Sequence, residues 1–178
     1  EKVRDQGGTG SCVGHAFATG IHMCARRLGT VHPFPSPLAI YTGARSRELI
    51  VLSDEQSRRI GLTDNGCRPR FAFDAITDPL LSCLLPESEW PLDDRLLNER
   101  LPMDIYQKAE GLDVECYRVT GDGRARTRQI KEAVAAGMPV VFGMLLDDRY
   151  SSFDGGVYEP IGDVTGGHMQ TIVGYNGD

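Results

Sequence analysis

Apolar or small residues recur at Val13, Ala16, Phe17, Gly20, Ile21, Cys24 and Leu28, spacings of three and four that gather them on one face of a helix over residues 12–28. The preceding Gly7-Gly8-Thr9-Gly10-Ser11 is too rich in glycine for a regular element. It reads as a loop that brings backbone close to whatever lies above the first helical residue, Cys12. Ser36-Pro37 has the form of an N-cap followed by proline at the first helical position, and starts a second helix that runs to about residue 48. A polar stretch over residues 53–65 follows. Residues 68–76 form a third helix ended near Pro79, and residues 86–91 are loop.

Beyond about residue 112 the pattern changes. Residues 114–119 alternate as a strand does, Gly121-Asp122-Gly123 makes a turn, and residues 129–136 form a short helix stopped by Gly137 and Pro139. Residues 140–146 are a nearly unbroken apolar run suited to a strand buried on both faces. In residues 168–175, His168, Gln170 and Ile172 alternate with Met169, Thr171 and Val173. The order predicts an α+β chain, a single domain with a helical lobe over about 1–112, a β-rich lobe over about 113–178, and a cleft between them.

The 178 residues, 40% of them hydrophobic, suffice for one sizeable core or two small lobes packed together. A net charge of −6 lacks the basic footprint of a phosphate-backbone binder, so nucleic acid is not expected as a partner. The short clusters Arg68/Arg70 and Arg124/Arg126/Arg128 read as solvated faces. The longest apolar run, residues 139–146, is far below the ~20 residues of a membrane span. The chain opens without methionine or an apolar signal, as a processed product or excised piece would, and its compartment is not readable. Five irregularly spaced cysteines, with no Cys-x-x-Cys, disfavour a disulfide framework and a zinc knuckle. At least one thiol is free, and the pairing of Cys67, Cys83 and Cys116 stays open.

A thiol attacks only as thiolate, and a helix N-terminus stabilises that anion with partial positive charge and free N–H donors. Cys12 holds this position, and needs an imidazole from elsewhere in the fold to take its proton. Of His15, His22, His32 and His168, the last is the best candidate, because Gly166-Gly167 precedes it and a strand holds its backbone. His15 shares the helix with Cys12, but its ring is directed back along that helix. His22 and His32 have no spacing to any cysteine or carboxylate that suggests a metal site. Gln6, six residues before Cys12, can offer a side-chain amide to a developing oxyanion, or else bond its own loop backbone.

Gln6-Gly7-Gly8-Thr9-Gly10-Ser11-Cys12 resembles the Gln-Gly-x-x-Gly-Ser-Cys segment of the papain-like cysteine peptidases. Gly166-Gly167-His168-Met169 through Gly174-Tyr175 is similar to that family's histidine strand, and Gly137-Met138-Pro139-Val140-Val141 to the strand before it. Ser36-Pro37-Leu38-Ala39-Ile40-Tyr41 and Asp64-Asn65-Gly66-Cys67 resemble the helix after the nucleophile helix and the cleft loop that pairs with substrate. The resemblance implies a two-lobed papain-like fold and peptide-bond hydrolysis, with Cys12 as nucleophile, His168 as base and Gln6 at the oxyanion. It further implies an extended substrate against Gly66, Cys67, Gly143 and Met169, no cofactor or metal, and a peptide or protein substrate, with a pro-segment or inhibitor outside this chain.

The family orients its histidine with Asn or Asp on the following strand, and the sequence ends at Asp178, before that point; Asn176 is too near His168 for the role. Thr9 stands where lysosomal and plant members often have a disulfide cysteine, which suggests a bacterial-type member, and both ends look trimmed. Two other readings compete: a catalytically silent peptide-binding relative, and another acyl transferase using the same Cys/His pair.

Overall fold

A computed structural model describes residues 3–52, 62–109 and 113–176. Their elements are α1 (Cys12–Arg27), α2 (Pro37–Leu52), α3 (Pro69–Thr77), the single turn α4 (Met103–Tyr106), α5 (Gly123–Ala135), β1 (Val140–Leu146), a 3₁₀ segment (Asp148–Ser152) and β2 (Gly166–Ile172). Most of the polar stretch expected over residues 53–65, and the expected boundary near residue 112, lie outside the described residues.

Helix α1 meets α2 at a close crossing made by Gly14, which lies outside the face anticipated from the sequence. Of that face, Ala16 and Gly20 lie against the later strand segment, and Leu28 is exposed at the C-cap. A Cβ on Gly14 would stand 2.1 Å from the Pro37 carbonyl oxygen and 3.2 Å from the Tyr41 Cβ, so only glycine lets the helices approach this far. Gly14→Ala is therefore expected to destabilise the fold by about 1–3 kcal/mol or more, read as a lower urea midpoint at unchanged slope. Ser36 caps α2 as expected: its Oγ accepts from the Ala39 N–H at 2.9 Å and also donates to the Trp90 carbonyl. Every α2 residue from Pro37 to Arg45 is buried, so this helix has no amphipathic stripe, and it continues one turn beyond the expected end.

Two apolar clusters flank α2. One joins Val13, Ala18, Ile40 and Phe71, and the other Leu38, Tyr41, Cys83, Trp90 and Leu101. Among the described residues, every buried hydrophobic lies between Val13 and Leu101. The segment that follows encloses no such cluster. Its two strands form an antiparallel ribbon, registered from Val140↔Ile172 to Leu146↔Gly166, that rests on α1. The Thr171 hydroxyl donates to the Ala16 carbonyl at 2.9 Å, fixing β2 across the middle of the helix.

Four local expectations are corrected. Residues 114–119 form no strand; alternation alone cannot hold extended backbone without a ladder partner, and among the described residues none pairs with them. Helix α5 starts at Gly123, not near residue 129, with Asp122 as an extended N-cap residue; its arginines mask the helical period. Strand β1 is not buried on both faces, since Gly143 and Leu145 are exposed in a two-stranded ribbon. Strand β2 ends at Ile172, and Val173 and Tyr175 beyond it are exposed.

Candidate active site

The N-terminus of α1, the loop before α3 and the β1–β2 ribbon together enclose a cavity of about 720 Å³. Cys12, Gly66, Cys67, Gly143, His168 and Met169 all line it. Thus six of the seven residues singled out from sequence open onto one space of the size that holds a ligand. Gln6 does not line it.

Cys12 is the first residue of α1, and the N-cap Ser11 does not cap the helix with its side chain. The Ser11 hydroxyl instead pairs with Thr9 Oγ1 at 2.6 Å and His15 Nδ1 at 3.1 Å. The first N–H groups of the helix are left without a side-chain cap beside the thiol, as an anion-binding end requires. His15 Nδ1 also lies 3.2 Å from the Ser11 carbonyl, so its ring is turned back along the helix, as expected, and burial lowers its pKa. It does not line the cavity.

The loop carrying Gly66 and Cys67 is stapled to the loop carrying the thiol. Asp64 accepts the Gly10 N–H on both carboxylate oxygens, at 2.9 and 3.0 Å. Tyr41 donates to Asp64 Oδ1 at 2.7 Å and accepts the Gly66 N–H at 2.9 Å. Burial, with the Asp64 carboxylate beside it, pushes the Tyr41 hydroxyl well above the ordinary phenol range, so it stays a donor. Arg45 stacks over the Tyr41 ring at 3.9 Å and donates to the Thr63 carbonyl at 2.8 Å and to the Leu97 carbonyl. A Cβ on Gly10 would fall 2.8 Å from Asp64 Oδ1 and 2.9 Å from the Gly66 nitrogen, so glycine is required for this approach. Tyr41 and Asp64 sit within stretches that the sequence marked, but a staple between residues 54 positions apart leaves no periodic signal.

His168 stands in β2 opposite Met144, and Gly143 opposite Met169, whose sulfur would lie 3.0 Å from a Cβ at Gly143. Half-burial lowers the imidazole pKa, which favours the neutral ring able to accept a proton. Cys67 shares the cavity with Cys12, but burial first, then Glu48 and Cys12, push its thiol up to about 12. All five cysteines are free, which answers the open pairing of Cys67, Cys83 and Cys116. No group of three or more His, Cys, Asp or Glu among the described residues could hold a metal ion. Nor is any described helix long and apolar enough to cross a membrane.

No protein-family model matches this sequence, and no curated protein matches it. Among solved structures, the chain is similar to xylellain, a cysteine protease from Xylella fastidiosa, at a TM-score of 0.74 and 22% sequence identity. The match covers 99% of this chain and 67% of that one. At this identity the likeness is one of architecture: mixed helices and antiparallel strands arranged as in a cysteine protease.

Proposed function

We propose that this chain is a papain-like cysteine peptidase, two-lobed about the cavity, that hydrolyses peptide bonds through a thioester on Cys12. One observation carries the reading: a thiol at an uncapped helix N-terminus and a half-buried imidazole on a rigid strand open onto the same cavity. The similarity in fold to a cysteine protease supports it.

In the proposed reaction His168 takes the Cys12 proton, and the thiolate adds to the scissile carbonyl. The oxyanion is received by the Cys12 N–H and the Gln6 amide. The tetrahedral intermediate collapses to a thioester as His168 gives the proton to the leaving amine. Water, deprotonated by His168, then cleaves the thioester and restores the thiol. No cofactor takes part. The substrate lies extended against Gly66 and Cys67, with side chains toward Gly143 and Met169. Since the Gly66 N–H is committed to Tyr41, the substrate strand meets that residue through its carbonyl.

The test is alkylation by limiting iodoacetamide from about pH 5 to 8, followed by intact mass, with Cys12→Ser as control. Selective labelling of Cys12 at the acid end is expected, because a thiolate–imidazolium pair ionises far below the ~8.5 of an ordinary thiol. Labelling that merely follows ordinary thiol ionisation overturns the proposal.

A further inference from the structure

The ring of Tyr150, in the 3₁₀ segment, lies 5.5 Å from the His168 ring, with their planes at 54°. Among the described residues no side chain hydrogen-bonds that imidazole, so Tyr150 is its evident lateral support. Tyr150 is itself held from two sides. Gln170, two residues beyond His168 on the same side of β2, donates to the Tyr150 hydroxyl. The Tyr158 ring meets Tyr150 edge-on at 5.2 Å, and Phe153 packs on Tyr158 at 5.5 Å.

Behind them the Asp147 carboxylate, 1% exposed, accepts from the Tyr158 hydroxyl at 2.7 Å and from the Ile161 and Gly162 N–H groups at 3.1 and 3.0 Å. Tyr158 in return accepts the Asp147 N–H at 3.0 Å. The segment between the strands is thus anchored at its start and folded back, and it lays one aromatic ring against the imidazole from outside the residues that line the cavity. Such construction exceeds what closing a connection needs.

We infer that Tyr150 is a positioning residue for His168: its ring fixes the imidazole's orientation toward Cys12 and favours the imidazolium that forms when the thiol gives up its proton. This rests on the peptidase reading above. The physical basis is twofold. A ring against one side of an imidazole removes rotamers that turn it away from the thiol, and orientation of the reacting groups is worth large factors in rate. An aromatic ring within about 6 Å also stabilises a cation through its quadrupole. The other groups that could bear on this imidazole are Cys12 on α1 and, across the cavity, Arg45, Glu48 and Arg68, of which Glu48 and Arg68 pair at 3.4 Å.

The test compares wild type with Tyr150→Phe, Tyr150→Leu and Gln170→Ala, measuring kcat and KM on an internally quenched peptide and the pH midpoint of Cys12 alkylation. Tyr150→Phe keeps the ring but loses the hydroxyl that Gln170 holds, and is expected to fall only a few-fold, whereas Tyr150→Leu lowers kcat on the order of 10-fold at nearly constant KM. Tyr150→Leu also moves the alkylation midpoint to higher pH, because a less favoured imidazolium takes the thiol proton less readily. Gln170→Ala leaves the ring but frees it, and shows the same pattern at a few-fold. A wild-type profile in both Tyr150→Leu and Gln170→Ala, or losses that fall on KM and thermal midpoint with the alkylation profile unmoved, overturns the inference and leaves the peptidase reading standing. An ordinary alkylation profile in the wild type itself overturns that reading, and the inference with it.

Discussion

Alanine in place of Cys12 is expected to lower kcat on peptide substrates by about 10⁴-fold or more while leaving the fold intact, because the step that forms the thioester then has no nucleophile. The size of the loss depends on whether another thiol can substitute. Burial raises the pKa of each of the other four cysteines, Cys24, Cys67, Cys83 and Cys116. Cys67 is the only one of these lining the cavity, and burial, with Glu48 beside it, holds its thiol well above the ordinary range even without Cys12, so it stays protonated at neutral pH. Rescue from within the cavity is therefore negligible. The side chain of Cys12 is only partly buried, at the margin of the cluster that contains Val13 and Phe71, so its truncation is expected to cost about 1 kcal/mol or less of stability. The measurement is turnover of a quenched peptide mixture beside the urea midpoint. Activity near wild type in a folded Cys12→Ala protein would place the nucleophile elsewhere.

What could be read from sequence divides along physical lines. Helix α1 was legible because its apolar spacing and its role in carrying Cys12 are both local properties. The cap at Ser36 was legible for the same reason. The ribbon was legible because Gly166-Gly167 and Pro139 punctuate two runs of strand-forming residues. Residues 114–119 carry an equally clear alternation, yet form no strand, because strand formation is settled by a partner that sequence pattern does not reveal. Helix α5 began six residues earlier than its apolar pattern indicated, because a first turn of Arg124, Ala125 and Arg126 needs no apolar face where it is exposed. Within the site, residue types and motif order pointed to Cys12 and His168, and the structure brings both to one cavity. The supports were not legible. Gly10 to Asp64, Tyr41 to Gly66 and Tyr150 to His168 are pairings across the chain, each made by a residue whose type is ordinary where it stands.

Gln6 is where the two kinds of information meet, and Gln6→Ala is expected to lower kcat on the order of 10²-fold with KM little changed. Its side-chain nitrogen donates to the Thr9 carbonyl at 2.8 Å, while the Thr9 hydroxyl lies 2.9 Å from the Gln6 carbonyl and 2.6 Å from Ser11 Oγ. Such a knot is what a glutamine serving only its own loop would make. The same knot also ties the amide to the residue before Cys12, and an amide nitrogen has two hydrogens, of which the Thr9 carbonyl takes one. The second is the one that the oxyanion role proposed for Gln6 would use. Energetics separates the roles. The hydrogen bond to Thr9 lies in a part-buried loop where water can replace it, so its loss is expected to cost no more than about 1 kcal/mol of stability. A donor aimed at an oxyanion is worth about 3 kcal/mol in the transition state and almost nothing before it. A Gln6→Ala protein that is folded, binds substrate normally and turns over about a hundredfold more slowly assigns the residue to the oxyanion. One that loses stability in proportion to activity assigns it to the loop.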